Sequence, residues 1–422
     1  MTQETRQLLL NRDFVLLWQG QLVSQLGNQA FLVATMSWVL ENLGSPLLMG
    51  VLLMASTLPA VFLGPVAGAI ADRHSRRGLI VASDMLRGLG HVGLAAALAA
   101  APSATGVIVP LLVAWAFVSG TLGAVLTPAL AAALPDVVPE RRLASANSLL
   151  HMSSQAATLV GQAAGGLAFN RIGAAGLILF DGVTFIFSAI CARFARVPSP
   201  LRRMPVSLRA GVGAYLEDLR AGITWLRLQP TLRSLILAFA AVNFLFTPVF
   251  VLLPVYVKDA LGRGPEWYGF LLSAAGGGAM AGAGTGPFVM KGRHALRWSL
   301  FGIGLATAAL APNRWAPLAA VLLFALGSFS GILNVMVMTT LQSSVPGDLR
   351  GRVLAVAVAL AGAAVPAGLG LGGLLGEVAR PALGWLIATC GAGILGIGVL
   401  VRIGGPAEPA FAANSGSKNA RV

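Results

Sequence analysis

Apolar runs of roughly 18 or more residues follow one another along almost the whole of this chain, and each can cross a hydrocarbon layer of roughly 30 Å as one helix. Inside hydrocarbon every backbone N–H and C=O must be satisfied within the protein, so only helices and closed barrels span it. The runs lack the two-residue alternation of barrel strands and are rich in Ala, Leu and Gly, which excludes the barrel. Charged residues at 10% and a mean hydropathy of +0.81 exclude an ordinary soluble fold. The expected class is an all-α polytopic membrane protein. Twelve spans are read at about 14–40, 47–71, 79–100, 106–134, 144–170, 173–195, 231–257, 266–290, 296–311, 315–343, 352–376 and 382–402. The first run is too long for a signal-peptide core and no small-residue cleavage site follows it, so no cleavable signal is expected.

The formal charge of +14 suggests nucleic acid only until the basic residues are placed. With a cytoplasmic N-terminus, 22 of the 29 Lys and Arg fall in cytoplasmic segments: they run from Arg6 and Arg12, through the seven between Arg193 and Arg227, to Arg402, Lys418 and Arg421. Arg171, Lys258, Arg263, Arg314 and Arg380 are the five on the other side. Such a bias is the positive-inside pattern of a multi-pass protein, with both termini cytoplasmic. The partner it implies is the lipid bilayer, not nucleic acid. Cys191 and Cys390 lie within spans and are expected to remain free.

The chain also repeats itself. At a constant offset of 207, Val138-Pro139 maps to Val345-Pro346, Gly161 to Gly368, and Gly165-Gly166-Leu167 to Gly372-Gly373-Leu374. A gapped match relates LENLGSPLLMG (40–50) to KDALGRGPEWYG (258–269). Two six-helix repeats with a site between them near the midplane suit a transporter. The expected division is an N-terminal half at 1–195, a cytoplasmic linker at 196–230, a C-terminal half at 231–403 and a disordered cytoplasmic tail at 404–422. Within the linker, Leu208, Val212, Leu216, Leu219, Ile223 and Leu226 recur at three- and four-residue steps, the pattern of an amphipathic helix along the inner leaflet.

Between spans two and three stands Gly68-x3-Asp72-Arg73-x2-Arg76-Arg77, a dense charge cluster in a chain otherwise poor in charge. With this motif the chain resembles the major facilitator superfamily. The stretches NRDFVLLWQGQLVSQLG, SDMLRG, ANSL and YLEDLRAGITWLRLQP are similar to its drug:proton antiporter branch, which includes macrolide efflux proteins and the enterobactin exporter. The resemblance implies the major facilitator fold and a cytoplasmic gate in which Asp72 reaches the start of span eleven at Gly351-Arg352. A helix N-terminus carries unpaired N–H groups and partial positive charge, which suits a carboxylate. Gly161-Gln162-Ala163-Ala164-Gly165-Gly166 resembles the antiporter motif Gly-Pro-x-x-Gly-Gly, with Gln162 replacing the proline. The intramembrane Arg that such antiporters often carry in span four is absent from AWAFVSGTLGAVLTPAL.

Gln21, Gln25 and Asn28, at steps of four and three, share one face of span one, the face that lines the central cavity in the family. Asn243, Phe246, Thr247 and Phe250 in span seven, with Asn334, Met338 and Gln342 in span ten, are the matching expectation in the other half. Any of these amides equally suits hydrogen bonding between helices. A charge near the bilayer centre costs at least about 2.5–3.5 kcal/mol, so the two acids well inside spans, Asp84 and Asp181, are candidates for carrying a proton, with His151 a third. Asp84 shares a helix face with Arg87 and His91, so a structural pair with Arg87 is the competing reading. No phosphate-binding Gly-rich Lys-Ser/Thr loop and no metal-ligand cluster is present, so no cofactor and no enzymatic activity are expected. The leading reading is a monomeric exporter of hydrophobic or amphiphilic small molecules, such as drugs, antibiotics or siderophores, by proton antiport across a bacterial cytoplasmic membrane. A lysophospholipid or lipid flippase of the same superfamily, and a non-transporting membrane sensor or scaffold, remain open.

Overall fold

The computed structural model describes residues 11–198, 208–289 and 294–401; within them the side chains at 65, 69, 71–73, 208–212, 214–215, 287–289, 294 and 348 lie outside the description. The described residues are helical, with no strand among them. The helices are α1 (Arg12–Asn42), α2 (Pro46–Arg73), α3 (Arg76–Ala100), α4 (Thr105–Val137), α5 (Leu143–Phe194), α6 (Leu208–Arg227), α7 (Pro230–Val255), α8 (Pro265–Val289), α9 (His294–Leu310), α10 (Ala316–Ser344), α11 (Gly347–Val378) and α12 (Leu383–Leu400). Local chemistry starts several of them. Asn11 Oδ1 accepts from Phe14 N at 2.9 Å, Ser45 Oγ from Leu48 N at 3.2 Å and Ser75 Oγ from Gly78 N at 3.0 Å, each covering a first-turn N–H.

At 52 residues α5 is about twice the length that one crossing needs. It breaks at Gly173, whose φ of 66° and ψ of −177° belong to a region essentially restricted to glycine. The arms on either side, 143–172 and 174–194, are the fifth and sixth spans. Eight described segments are long and apolar enough to cross a membrane, one of them the doubled Glu140–Phe194. With α1, α8 and the 17-residue α9 the spans number twelve. Phe62, Leu400 and many other large apolar side chains face outward, and the exposed Trp298, Trp315 and Trp385 near helix ends mark the two lipid–water boundaries.

The repeat is visible in contacts. A Cβ on Gly161 would lie 2.7 Å from Leu26 O of α1, and one on its counterpart Gly368 2.7 Å from Phe244 O of α7. A Cβ on Gly166 would lie 2.7 Å from Pro265 O of α8, and one on Gly373 2.8 Å from Pro46 O of α2. Positions 207 apart thus meet corresponding helices. The turns that precede α2 and α8 correspond as well, with Gly44 at φ 62° and Gly262 at φ 61°. Two six-helix repeats meet along two seams, α2 with α11 and α5 with α8. Helix α6 lies against α11 and α2: a Cβ on Gly222 would fall 2.8 Å from Arg352 O. Leu226 of α6 is buried, while Leu216 and Ile223 stay exposed.

Candidate functional site

The bundle has a basic end, where Arg76 and Arg77 start α3, Arg193 ends α5 and Arg352 lies in the first turns of α11, and a distal end formed by the turns α1–α2, α7–α8 and α11–α12. Between them lies a cavity of about 1380 Å³, walled mainly by α1, α2, α4 and α11. Its shape follows from the divergence of α2 from α11. At the distal end they touch, since a Cβ on Gly50 would fall 2.6 Å from Leu369 O. Towards the basic end Gly68 and Gly351 both line the cavity, and a Cβ on either meets nothing within 4 Å.

The distal end is sealed by polar contacts, most of them between the repeats, with Arg380 also tied to Asp259 of its own repeat. Glu377 Oε2, at the C-terminal end of α11, accepts from Ser45 Oγ at 2.8 Å and from Leu47 N at 3.1 Å in the first turn of α2. Arg380 donates through Nε and Nη2 to Asp259 at 2.9 and 3.3 Å, and through Nη1 to Gly44 O at 2.8 Å. Across the other seam Asn170 Nδ2 donates to Glu266 Oε2 at 2.9 Å. Nothing in the sequence marks these residues as a seal, because each pair joins positions about a hundred or more apart.

Gln21, Gln25 and Asn28 all line the cavity. The residues expected opposite them do not. Thr247 is buried and donates to Asn243 O of its own helix at 2.5 Å, Asn243 donates to Phe239 O at 2.8 Å, and Phe246 packs edge-on to Phe250. On α10, Met338 packs against the apolar core, and Asn334 and Gln342 are exposed away from this cavity. The C-terminal repeat meets the cavity instead through the small apolar side chains of α11, among them Ala355, Val358 and Ala359.

The Gly161–Gly166 stretch holds α5 against α1 and α8. Besides the glycine contacts already described, Gln162 Nε2 donates to Gln29 Oε1 of α1 at 3.0 Å. A Cβ on Gly165 would lie 2.8 Å from Ala30 Cα. At the basic end Arg76 pairs with Asp136 and donates to Ala132 O at 2.8 Å, and Arg77 donates to Arg193 O. Both tie α3 to its own repeat. Arg352 Nε lies 2.8 Å from Asp218 Oδ1 of α6. The side chains of Asp72 and Arg73, in the last turn of α2, lie outside the described residues.

Against the cavity wall stands a buried polar network. Asp84 Oδ2 accepts from Ser188 Oγ at 2.7 Å and from Gln21 Nε2 at 3.1 Å. Arg87 does not form the expected direct pair with Asp84: its Nε donates to Ser119 Oγ at 3.1 Å, and its guanidinium lies 4.0 Å over the Phe185 ring. Asp181, which has no charged partner near it in sequence, meets His91 across the helices, with Nε2 3.5 Å from Oδ2; the Thr184 hydroxyl, one turn on, lies 2.7 Å from Asp181 O and 3.3 Å from its Oδ1. Asp84, His91 and Asp181 are each 0% exposed. Arg87 is the one charged side chain among the described residues lining the cavity. The third candidate, His151, is exposed and apart from this network. The stretch SDMLRG carried the signal for Asp84 and Arg87, but nothing in it pointed to Asp181 some hundred residues on.

The sequence profile of the Major Facilitator Superfamily matches residues 17–368. The multidrug efflux pump Tap of Mycolicibacterium fortuitum is 29% identical, over 84% of this chain and 86% of its own length. Macrolide efflux protein A of Streptococcus pyogenes is 23% identical, over 86% and 89%. Among solved structures, a bacterial homologue of the iron transporter ferroportin in its inward-facing state superposes with a TM-score of 0.71 at 19% identity, covering 92% of this chain and 98% of that one. A bacterial homologue of the lysosomal transporter Spinster, inward-facing and unoccupied, gives 0.68 at 15% identity, covering 95% of both. Twelve spans in two repeats and a profile match over most of the length give one answer: the chain belongs to the Major Facilitator Superfamily.

Proposed function

We propose that this transporter exports hydrophobic or amphiphilic small molecules from the cytoplasm by proton antiport and alternating access. The observation that carries the reading is the cavity itself, wide towards the basic end and sealed at the distal end. By the positive-inside bias the basic end is cytoplasmic and both termini lie there, which makes this an inward-facing state. The sequence likeness to Tap and to macrolide efflux protein A supports efflux and substrates of that kind. An apolar wall with the amides Gln21, Gln25 and Asn28 suits guests of varied shape that need a few hydrogen bonds. The repeats, 1–195 and 231–403, rock about the seams α2–α11 and α5–α8, with Gly161, Gly165 and Gly166 as close-packed pivots and 196–230 as their tether. When the basic end closes, Asp72 latches onto the start of α11 at Gly351-Arg352. The proton gradient and membrane potential supply the energy; the potential alone is worth roughly 2.3 kcal/mol per charge per 100 mV.

Inverted membrane vesicles test this directly. The native chain is expected to accumulate an amphiphilic dye when a pH gradient is imposed, and Asp72→Asn to abolish the accumulation. Accumulation untouched by the mutation removes Asp72 from the gate and leaves export standing. Absence of dye movement, with lysophospholipid moved instead, replaces drug export by lipid transport.

A further inference from the structure

We propose that His91 and Asp181 together form a one-proton binding site that is loaded and emptied in each cycle, with Arg87 and Gln21 relaying its state to the cavity wall. This deepens the antiport reading and rests on it for its place in transport, though the site itself is judged separately below.

One carbonyl fixes the tautomer of the imidazole. His91 Nδ1 lies 2.9 Å from the carbonyl oxygen of Arg87, and a carbonyl only accepts, so Nδ1 carries the ring hydrogen. In a neutral ring Nε2 is then an acceptor, and it faces Asp181 Oδ2 at 3.5 Å. An ionised carboxylate is also only an acceptor. Neither atom has an aligned hydrogen bond in the structure, and both are buried. Two acceptors face each other in a dry place, and a single proton between them satisfies both. Written as Asp181 O–H donating to Nε2, or as Nε2–H donating to the carboxylate, the proton count and total charge are the same.

The surroundings set the charge. From α3 the pair is faced by Arg87, from α1 by Gly27 and Phe31, from α4 by Trp115, and from the second arm of α5 by Thr184 and Phe185; Arg87 in turn holds Ser119, and Asp84, held by Gln21 and Ser188, completes the buried set. Among the described residues no further titratable group reaches it. With Asp84 ionised and Arg87 charged, one proton on the pair makes the set neutral, and its loss leaves one uncompensated negative charge. Hydrocarbon penalises such a charge, so the loaded state is the resting one. Gly27 helps to keep the site dry: a Cβ there would fall 2.6 Å from Asp181 Oδ1, so the α1 backbone presses on the carboxyl.

The link to the cavity is short. Arg87, Gln21, Phe31 and Trp115 all line it. Gln21 holds Asp84, while Phe31 and Trp115 stand edge-on to the imidazole with ring centroids 4.6 and 5.5 Å away. A guest that displaces any of these groups changes the field at the pair, and loss of the proton changes the wall that the guest meets.

Infrared spectra of the purified full-length protein in nanodiscs, in H2O and D2O at neutral pH, read the site without any substrate. The expected result is a protonated carboxyl absorption that Asp181→Asn removes, Asp84→Asn keeps and His91→Gln shifts. Absence from the native protein of both that absorption and an imidazolium absorption that His91→Gln removes, or persistence of the carboxyl absorption in Asp181→Asn, overturns the site. Its role in transport is read in proteoliposomes with ethidium as the probe. A gradient of one pH unit with one proton per molecule sustains about tenfold accumulation. Asp181→Asn is expected to lose this accumulation and to keep exchange of labelled for unlabelled ethidium within about twofold of native. Retained accumulation, or loss of exchange as well in a monodisperse protein, overturns the coupling role. If the native protein moves no ethidium, the export reading for such cations fails, while the infrared result still decides the proton site.

Discussion

Glu377 places its carboxylate on the first turn of α2, against Ser45 Oγ and Leu47 N. That is where a negative charge gains most, because the first turn presents unpaired N–H groups and the positive end of the helix dipole. Helices α2 and α11 run antiparallel along their seam, so the C-terminal end of each lies on the same side of the bundle as the start of the other. Glu377 serves α2 at the distal end. On the proposed reading Asp72 serves α11 at the basic end, and the divergence of the two helices lets only one of these contacts form at a time. At the repeat-equivalent position, 207 residues earlier, stands Asn170, which donates to Glu266. The distal seal therefore places a carboxylate on a helix start at one seam and joins an amide to a carboxylate at the other. Replacing Glu377 by Gln is expected to weaken the seal by about 1 kcal/mol, the scale of an exposed charged contact, and so to raise the outward-open population roughly fivefold. Spin labels on the exposed Leu47 and Val378 would report this as a longer distance between the ends of α2 and α11. An unchanged distance distribution would remove Glu377 from the seal.

Gly173 joins the two arms of α5 through a backbone conformation that other residues enter only at a cost of about 1–3 kcal/mol. A Cβ there meets nothing within 4 Å, so Gly173→Ala tests the backbone alone. Its midpoint of thermal unfolding in detergent is expected to fall, and a neutral effect would mean that the two arms meet differently in solution. At this scale much was legible in advance. The spans, the repeat and the cavity face of α1 follow from apolar run length, the offset of 207 and the Gln21-Gln25-Asn28 spacing. The rotation of α7 and α10 was not legible, because lipid is as apolar as a protein interior and hydrophobic periodicity then says little about which face turns inward. On α7 the polar residues that suggested a cavity face, Asn243 and Thr247, bond to their own helix instead. The network partners Asp84 and Asp181 were legible one by one, as costly acids within spans. The contacts of Asp84 with Ser188 and of Asp181 with His91 depend on how α3 packs against the second arm of α5, which no local pattern encodes.

The whole bundle is a wedge whose open side can be probed chemically. Cysteines in place of Gly68 or Gly351 should react with a membrane-impermeant maleimide offered from the basic side, since both positions border the cavity and have free space. Replacements of Gly50 or Gly373 lie in the tight distal seam and should resist labelling or disrupt the seal. Equal labelling at all four positions would contradict the wedge. Within it the two repeats contribute unequally. Every buried ionisable group of the network comes from α3 or the second arm of α5, while among the described residues the C-terminal repeat lines the cavity with apolar residues of α11 alone, from Gly351 to Val365. A change at Ala355, Val358 or Ala359 resizes the chamber without touching a charge. Such a scaffold separates a change in the chamber's size from a change in its charge: substitutions on α11, one side chain at a time, reshape the space a guest meets and leave the buried ionisable groups of the other repeat untouched.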